Sequence, residues 1–180
     1  MVIWITGISG AGKSTICEAI IRMAKPYISE MVWLDGDVVR EIFDDNLGHT
    51  EPDRVRQIKR IQRLAKELDS QGMVVLVAAL YANPNLLKWN RVNFENYTEV
   101  YLDAPLDFVC KRDPKGLYAK LRIGEVKHVV GVDIPWHAPE NPTLTIQMTD
   151  AESPDSISRR IVEAIPSMST RLLGSASENV

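Results

Sequence analysis

A glycine-rich stretch near the start of the chain constrains the fold more than any other part of the sequence. The segment GISGAGKS (7–14) matches the pattern G-x-x-x-x-G-K-[S/T]. It follows the apolar run VIWIT (2–6) directly, and apolar residues recur at helical spacing from Lys13 to Ala24. A loop between a strand and a helix N-terminus points backbone N–H groups at phosphate oxygens. The motif therefore predicts a phosphate-binding loop that holds a nucleoside triphosphate.

The residues of this loop have distinct expected roles. Lys13 is placed to reach the β and γ phosphates, and the Ser14 hydroxyl is placed to hold the Mg²⁺ that accompanies ATP. Mg²⁺ is therefore the cofactor that we expect. The loop residues expected to contact ATP are Gly7, Ser9, Gly10, Ala11, Gly12, Lys13, Ser14 and Thr15.

Strand and helix patterns alternate along the rest of the chain. Further strands are predicted at 31–35, 73–80, 98–103 and 143–149. Helical patterns lie between and after them, at 53–69, 86–95, 105–112 and 154–165. The run MVVLVAAL (73–80) is continuously apolar, as is typical of a central parallel strand covered on both faces. The alternation predicts a three-layer α/β fold, with a five-stranded parallel sheet and helices on both faces.

Two segments stand apart from this alternation. Residues 112–142 contain four prolines and three glycines and show neither a strand period nor a sustained helical stripe. A loop of this length inside a small domain commonly covers a site. Residues 166–180 have little to bury, so we expect a flexible tail after a single domain at 1–165.

Composition limits the partners and the compartment. A net charge of −3 argues against broad nucleic-acid binding. The N-terminal apolar run has five residues and no basic leader, so we expect neither a signal peptide nor a membrane span. Cys17 and Cys110 could pair, but reduced thiols are the usual state in the cytosol. We therefore expect a cytoplasmic protein without nucleic-acid or membrane partners.

The segment LDGDVVR (34–40) follows the second predicted strand. Asp35, Asp37 and Arg40 should thus lie at the carboxyl edge of the sheet, where open α/β sheets bind ligands. A carboxylate there can orient Mg²⁺ or a substrate hydroxyl, and Arg40 can bind an anion. The alternative is that these residues only cap a helix. Arg54, at the start of the long helix, either faces a second anionic substrate in the cleft or merely solvates the surface.

Several segments together resemble the adenylylsulfate kinases. They are GISGAGKST, LDGDVVR, DRVRQIKRI, RDPKGLYAK and GEVKHVVGVDIPWHAPENP, in order over residues 2–150. The resemblance implies a P-loop kinase fold with a mobile lid at about 112–142 that closes to exclude water. It also implies a phosphotransferase that moves the γ-phosphoryl group of ATP to an alcohol group, the ribose 3′-hydroxyl of adenylylsulfate. The partners would be ATP and a small nucleotide, and a homodimer is left open.

The resemblance also implies roles for individual residues. Lys13, Asp37 and Lys115 would act in catalysis, and Ser14 and Asp37 would hold the metal ion. Arg112 would contact ATP. The residues that would contact the acceptor nucleotide are Asp37, Arg40, His49, Arg54, Gln57, Leu80, Tyr81, Lys115, Gly116, Leu117, His128 and Val129.

The acceptor half of the site departs from the family pattern. The family usually places one phenylalanine after an N-L-G turn and a second in a G-F-T-G element, where this chain has His49 and Val129. Other departures are Val38 and Gln57 in place of asparagines, and Tyr81 and Ala82 in place of a Ser-Pro pair. Two interpretations stay open: an adenylylsulfate kinase with a relaxed pocket, or the same reaction on another nucleotide, such as cytidine diphosphoramidate. A third is a protein that binds ATP without catalysing transfer.

Overall fold

The sheet contains five parallel strands. The structure is a computed structural model and describes residues 1–43 and 47–176. The strands are β1 (Val2–Thr6), β2 (Met31–Asp35), β3 (Val74–Ala79), β4 (Tyr97–Asp103) and β5 (Leu144–Gln147). Their order across the sheet is β2-β3-β1-β4-β5. In the central strand, Ile3 pairs with Leu76 on one side and with Thr98 on the other, both in parallel. The predicted fold class is confirmed.

Helices connect the strands and cover both faces of the sheet. They are α1 (Lys13–Ala24), α2 (Gly36–Ile42), α3 (Glu51–Ser70), α4 (Pro84–Asn93), α5 (Leu106–Arg112), α6 (Leu117–Arg122), α7 (Pro154–Glu163) and α8 (Pro166–Ala176). Thr50, Asn83 and Ser153 precede α3, α4 and α7, and each side chain accepts a backbone N–H of the first turn. A proline in the first turn of each helix has no N–H that would need such a partner.

The core lies in two layers, one on each face of the sheet. Ile3 and Ile5 of β1 point into the layer that contains α1 and α7, whereas Val2 and Trp4 point into the layer beneath α3 and α4. This alternation follows from the two-residue period of a strand. Every residue of β1 and β3 is buried, because helices cover both of their faces. The loops at the carboxyl ends of these central strands are therefore held on a rigid base.

A helix occupies most of the segment for which the sequence predicts a flexible tail. Pro166–Ala176 forms α8, and Met168 is fully buried against the core. Leu172, one helical turn later, packs against the same core layer. The contacts of Met168 and Leu172 do not produce a clear helical period of apolar residues, so the sequence does not reveal this helix. Residues 177–180, the end of the predicted tail, lie outside the described part of the chain.

The predicted lid also contains regular structure. Helix α6 (Leu117–Arg122) follows Gly116, whose φ of 64° starts a tight turn. A helix of six residues is too short to show a sustained stripe in the sequence. After α6 the lid continues without further helices or strands until β5, apart from one bridge between Val130 and Ile134.

Candidate active site

Two adjacent cavities open at the carboxyl edge of the sheet. The first, of about 690 Å³, lies over the phosphate loop and reaches the segment between β5 and α7. The second, of about 400 Å³, lies between α2, the start of α3, the end of β3 and the lid. Both cavities are lined by Ser9, Gly36, Asp37, Leu80, Lys115 and Leu117. A shared wall of this kind can bring two bound molecules into contact.

The phosphate loop has the backbone that its glycines permit. Gly10 and Gly12 have φ angles of 78° and 93°, which residues with a side chain rarely adopt. A Cβ atom on Gly7 would lie 2.7 Å from the carbonyl oxygen of Leu102. The predicted ATP-contacting residues that line the first cavity are Ser9, Gly10, Gly12, Lys13, Ser14, Thr15 and Arg112. Gly7 and the fully buried Ala11 are not among the residues that line it and belong to the base of the loop.

Lys13 lies folded back over the loop. Its ammonium group donates hydrogen bonds of 2.9 Å to the carbonyl oxygens of Gly7 and Ile8. Burial lowers the pKa of Lys13 from 10.5 to about 8, although the carboxylates of Asp37 and Asp35 oppose this shift. The loop thus holds a cation whose charge is poorly solvated, and phosphate oxygens would stabilise that charge.

Oxygen ligands suited to Mg²⁺ lie beside the loop. The Ser14 hydroxyl donates to Asp35 Oδ2 at 2.7 Å, and the other oxygen of this carboxylate accepts the Asp37 N–H at 2.9 Å. The sequence paired Ser14 with Asp37, whereas the structure brings Ser14 to Asp35. Within residues 1–43 and 47–176, no group of three or more His, Cys, Asp and Glu side chains could hold a metal by itself. A magnesium ion here would need phosphate oxygens and water as further ligands.

An ion pair crosses the wall between the two cavities. Lys115 Nζ of the lid donates to Asp37 Oδ2 of α2 at 2.6 Å. Burial raises the pKa of Asp37, but the hydrogen bond from Lys115 and the charges of Lys115, Lys13 and Arg40 outweigh it, so the pKa is lowered overall. The same hydrogen bond raises the pKa of Lys115. Both groups are therefore charged at neutral pH, at the point where the cavities meet.

Two arginines hold the walls of the second cavity. Arg54 donates from Nε to the His49 carbonyl at 3.0 Å and from Nη2 to the His128 carbonyl at 2.6 Å. Arg40 donates from Nη1 to the carbonyls of Leu47 and Gly48 at 2.6 and 3.0 Å. Arg54 thereby joins α3 to the lid across 74 positions of the sequence.

The His49 side chain is held in its neutral form. Burial lowers its pKa, and the nearby positive charges of Arg40 and Arg54 lower it further. A neutral imidazole has one donor and one acceptor nitrogen. Asn46, the first residue of the N-L-G turn that precedes His49, lies outside the described residues.

The other predicted acceptor residues have specific partners. Gln57 is buried, and its amide donates to the Gly36 carbonyl at 2.9 Å, which holds α3 against α2. The Tyr81 hydroxyl donates to Glu51 Oε1 at 2.6 Å, and 3% of Tyr81 is exposed. Val129 is also 3% exposed and contributes an aliphatic wall. All the predicted acceptor residues line the second cavity except Gly116, which precedes α6.

Tyr118, Lys120 and Lys127 are among the residues of the site that the sequence did not predict. Tyr118 lines the first cavity and donates its hydroxyl to the Ser9 carbonyl at 2.9 Å. Lys120 and Lys127 line the second cavity. Among the described residues that line the second cavity, five are Lys or Arg and one, Asp37, is a carboxylate. Tyr118, Lys120 and Lys127 all lie within the segments RDPKGLYAK (112–120) and GEVKHVVG (124–131), which was the available signal, but spacing alone does not show which lid side chains face inward.

Comparison with known proteins shows which family this chain resembles in sequence and in structure. Residues 1–147 match the family model described as adenylylsulphate kinase. The adenylyl-sulfate kinase of Deinococcus deserti is 42% identical over 146 residues, which are 81% of this chain and 81% of that protein. The structure of the Mycobacterium tuberculosis APS kinase CysC in complex with AMPPNP and APS superposes with a TM-score of 0.83 at 33% identity. This match covers 92% of this chain and 96% of that chain.

A longer relative is also similar. The bifunctional enzyme NodQ of Azospirillum brasilense is 39% identical over 166 residues, which are 91% of this chain but 27% of that enzyme. In the described part of this chain, no helix is long and apolar enough to cross a bilayer.

From the family match, the extent of the similarity and the shared fold, we conclude that the chain belongs to the adenylylsulphate kinase family of ATP-dependent phosphotransferases, whose acceptor is an alcohol group.

Proposed function

We propose that this chain transfers the γ-phosphoryl group of ATP to the ribose 3′-hydroxyl of a small anionic nucleotide. The observation that carries the proposal is the pair of adjacent cavities that share the ion pair of Asp37 and Lys115. One cavity has the phosphate loop as its floor, and five of the described residues that line the other are Lys or Arg, so each can take an anionic nucleotide.

The donor side would bind ATP with Mg²⁺. Backbone N–H groups of the loop and the start of α1 would face the phosphates, and the metal ion would neutralise charge on the β and γ phosphates. Ser14 and Asp35 would hold the ion, with Asp37 a further candidate ligand. Lys13 would leave the carbonyls of Gly7 and Ile8 and bind the transferring phosphoryl group. Its positive charge stabilises negative charge that develops there in the transition state.

Direct transfer needs a hydroxyl held in line with the γ-phosphoryl group. The Asp37 carboxylate lies on the shared wall and would orient the 3′-hydroxyl, and Lys115 beside it would stabilise charge on the transferred group. The Tyr81 hydroxyl is bound to Glu51 and does not need to take part. The lid carries Lys115 and would exclude water, which otherwise competes with the hydroxyl.

The acceptor side would recognise an anion next to the nucleoside. Arg40 and Arg54 line this cavity and keep further N–H groups beyond those that bind backbone carbonyls, since a guanidinium has five. Such groups suit phosphate or sulfate oxygens. The family and the neighbour solved with APS favour adenylylsulfate as the acceptor.

A second candidate acceptor is another nucleotide, with cytidine diphosphoramidate as the named case. The observation that favours it is the chemistry of His49 and Val129 on the acceptor walls. A buried valine cannot stack on a base as an aromatic ring does, and a neutral histidine can hydrogen-bond a base edge. These walls suit a smaller, more polar base better than adenine.

The experiment is an assay of ADP release with ATP, Mg²⁺ and one acceptor at a time. The panel contains adenylylsulfate, cytidine diphosphoramidate, and the corresponding 5′-monophosphates and 5′-diphosphates. We expect ADP release that depends on the acceptor and is lost in Lys13→Ala, while Lys111→Ala, an exposed change on α5, keeps it. ATP binding without ADP release for every acceptor would instead support the non-catalytic interpretation.

A further inference from the structure

A buried tyrosine of the lid contacts the phosphate loop. Tyr118 lies in the first turn of α6, and 3% of it is exposed. Its hydroxyl donates to the Ser9 carbonyl at 2.9 Å. Burial raises the pKa of this hydroxyl to about 12, so it remains a donor at the pH of an assay. Since Ser9 lines both cavities, the contact lies at their junction.

Three consecutive carbonyls of the phosphate loop accept hydrogen bonds from side chains. Lys13 donates to Gly7 and Ile8, and Tyr118 donates to Ser9. If Lys13 turns toward bound phosphates, Tyr118 still holds the loop. The Ser9 carbonyl and the Gly10 N–H belong to one planar peptide group. By fixing this carbonyl, Tyr118 also fixes the direction of an N–H at the point where the loop binds phosphate.

A compact turn joins Tyr118 to Lys115. The Asp113 carboxylate accepts the backbone N–H groups of Tyr118 and Ala119 at 3.2 and 2.9 Å. The Gly116 N–H donates to the Asp113 carbonyl at 2.9 Å, which closes the turn. From this turn Lys115 reaches Asp37 on the shared wall. The segment 113–118 therefore contacts the phosphate loop through Tyr118. Through Lys115 it contacts Asp37, on the wall that the two cavities share.

We propose that Tyr118 is a positioning residue that holds Lys115 at a fixed position relative to the phosphate loop. Lys115 is then aligned with the transferring phosphoryl group when ATP occupies the loop. The Tyr118 hydroxyl donates a hydrogen bond to the Ser9 carbonyl. It therefore affects the reaction by positioning the loop and Lys115, and not by binding the substrate. This inference rests on the proposed transfer reaction.

Tyr118→Phe tests the inference, because it keeps the buried ring and removes one hydroxyl. Loss of one hydrogen bond that orients the site should lower kcat about tenfold. The KM for the acceptor should change less than about twofold, since the groups that bind the acceptor remain. Tyr27→Phe is the matched control: Tyr27 is 48% exposed, lines neither cavity, and should leave both parameters unchanged.

A double-mutant cycle separates positioning from general stability. In a Lys115→Met background, Tyr118→Phe should cause little further loss of kcat, because the group that it positions is gone. Losses that multiply in the double variant would overturn the proposal. So would a Tyr118→Phe protein that unfolds at a lower temperature but keeps its kcat, since its role would then be stabilising only.

Hydrogen exchange gives a readout that needs no acceptor. A non-hydrolysable ATP analogue should slow amide exchange in lid residues 113–123 of the unmodified protein. In Tyr118→Phe, slowing should persist in the phosphate loop and be reduced in the lid. Equal slowing of the lid in both proteins would refute the coupling. If no acceptor is phosphorylated but the difference in exchange is seen, the proposed reaction fails while the coupling of loop and lid stands.

Discussion

Replacing Lys13 with methionine should make the ligand-free protein more stable while it abolishes phosphoryl transfer. The ammonium group of Lys13 is held among loop carbonyls, and its burial lowers the pKa from 10.5 to about 8. Such a shift corresponds to about 3 kcal/mol of unfavourable charge burial. Part of the side chain still reaches solvent, and methionine cannot replace the two hydrogen bonds. We therefore expect a net gain of about 1–2 kcal/mol in the free energy of unfolding.

The sign of the pH dependence follows from linkage. Between pH 8 and pH 10.5 the unfolded chain holds a proton on Lys13 that the folded protein has lost, so the free energy of unfolding rises with pH in this window. The penalty is complete below pH 8 and disappears toward pH 10.5. The stability advantage of Lys13→Met should therefore be largest at neutral pH and shrink as the pH rises through this window.

Urea unfolding without nucleotide, at several pH values, measures this difference. Lys111→Met, an exposed lysine on α5, is the control and should match the unmodified protein. If Lys13→Met is no more stable than the unmodified protein at pH 7, or if its advantage is the same at all pH values, the reasoning is wrong. Lys13 would then carry no unfavourable charge that ATP binding could relieve.

Three further predictions concern other parts of the chain. Arg91→Ala should lower the free energy of unfolding by about 2 kcal/mol in urea titrations, because it leaves the buried carboxylate of Glu99 without its ion-pair partner. Incubation with γ-labelled ATP alone should leave the protein unlabelled, since direct transfer requires no phosphoenzyme; stoichiometric label on Tyr81 would contradict this. The double variant His49→Phe/Val129→Phe should shift relative kcat/KM toward adenylylsulfate by about tenfold, because stacking on a base contributes about 1–3 kcal/mol.

The predictions for Arg91→Ala and for His49→Phe/Val129→Phe each have a matched control variant. Arg22→Ala removes an ion pair whose two side chains are 62% and 73% exposed, and should change stability by less than about 0.5 kcal/mol. Val92→Phe adds a ring at a position that is 76% exposed and should not change acceptor preference. If the unmodified protein already uses adenylylsulfate efficiently and ignores pyrimidine nucleotides, the interpretation of His49 and Val129 is wrong.

The centre of the sheet could be predicted from the sequence because β1 and β3 are covered on both faces. Buried parallel strands are continuous apolar runs, and each predicted strand matches a strand of the structure to within two residues at either end. The phosphate loop was predictable because its local geometry requires glycines. Helix α8 was missed because two apolar contacts, those of Met168 and Leu172, show no clear period.

The contacts that close the site could not be predicted in the same way. The bond from Arg54 to the His128 carbonyl and that from Tyr118 to the Ser9 carbonyl each join segments far apart in sequence. Both acceptors are backbone oxygens, which every residue possesses, so no residue type marks them. The contact of Ser14 with Asp35 rather than Asp37 depends on the turn at the end of β2, which the sequence did not resolve.

The most direct test of the proposed reaction is to trace the labelled γ-phosphoryl group of ATP in a single turnover with an active acceptor. We expect one equivalent of label on the ribose 3′-oxygen of the acceptor, identified by mass spectrometry of the isolated product, and none on the protein. Transfer should vanish in Lys13→Ala. Label found only in inorganic phosphate, or on another oxygen of the acceptor, would contradict the assignment of the second cavity as the site that presents a nucleotide 3′-hydroxyl to ATP.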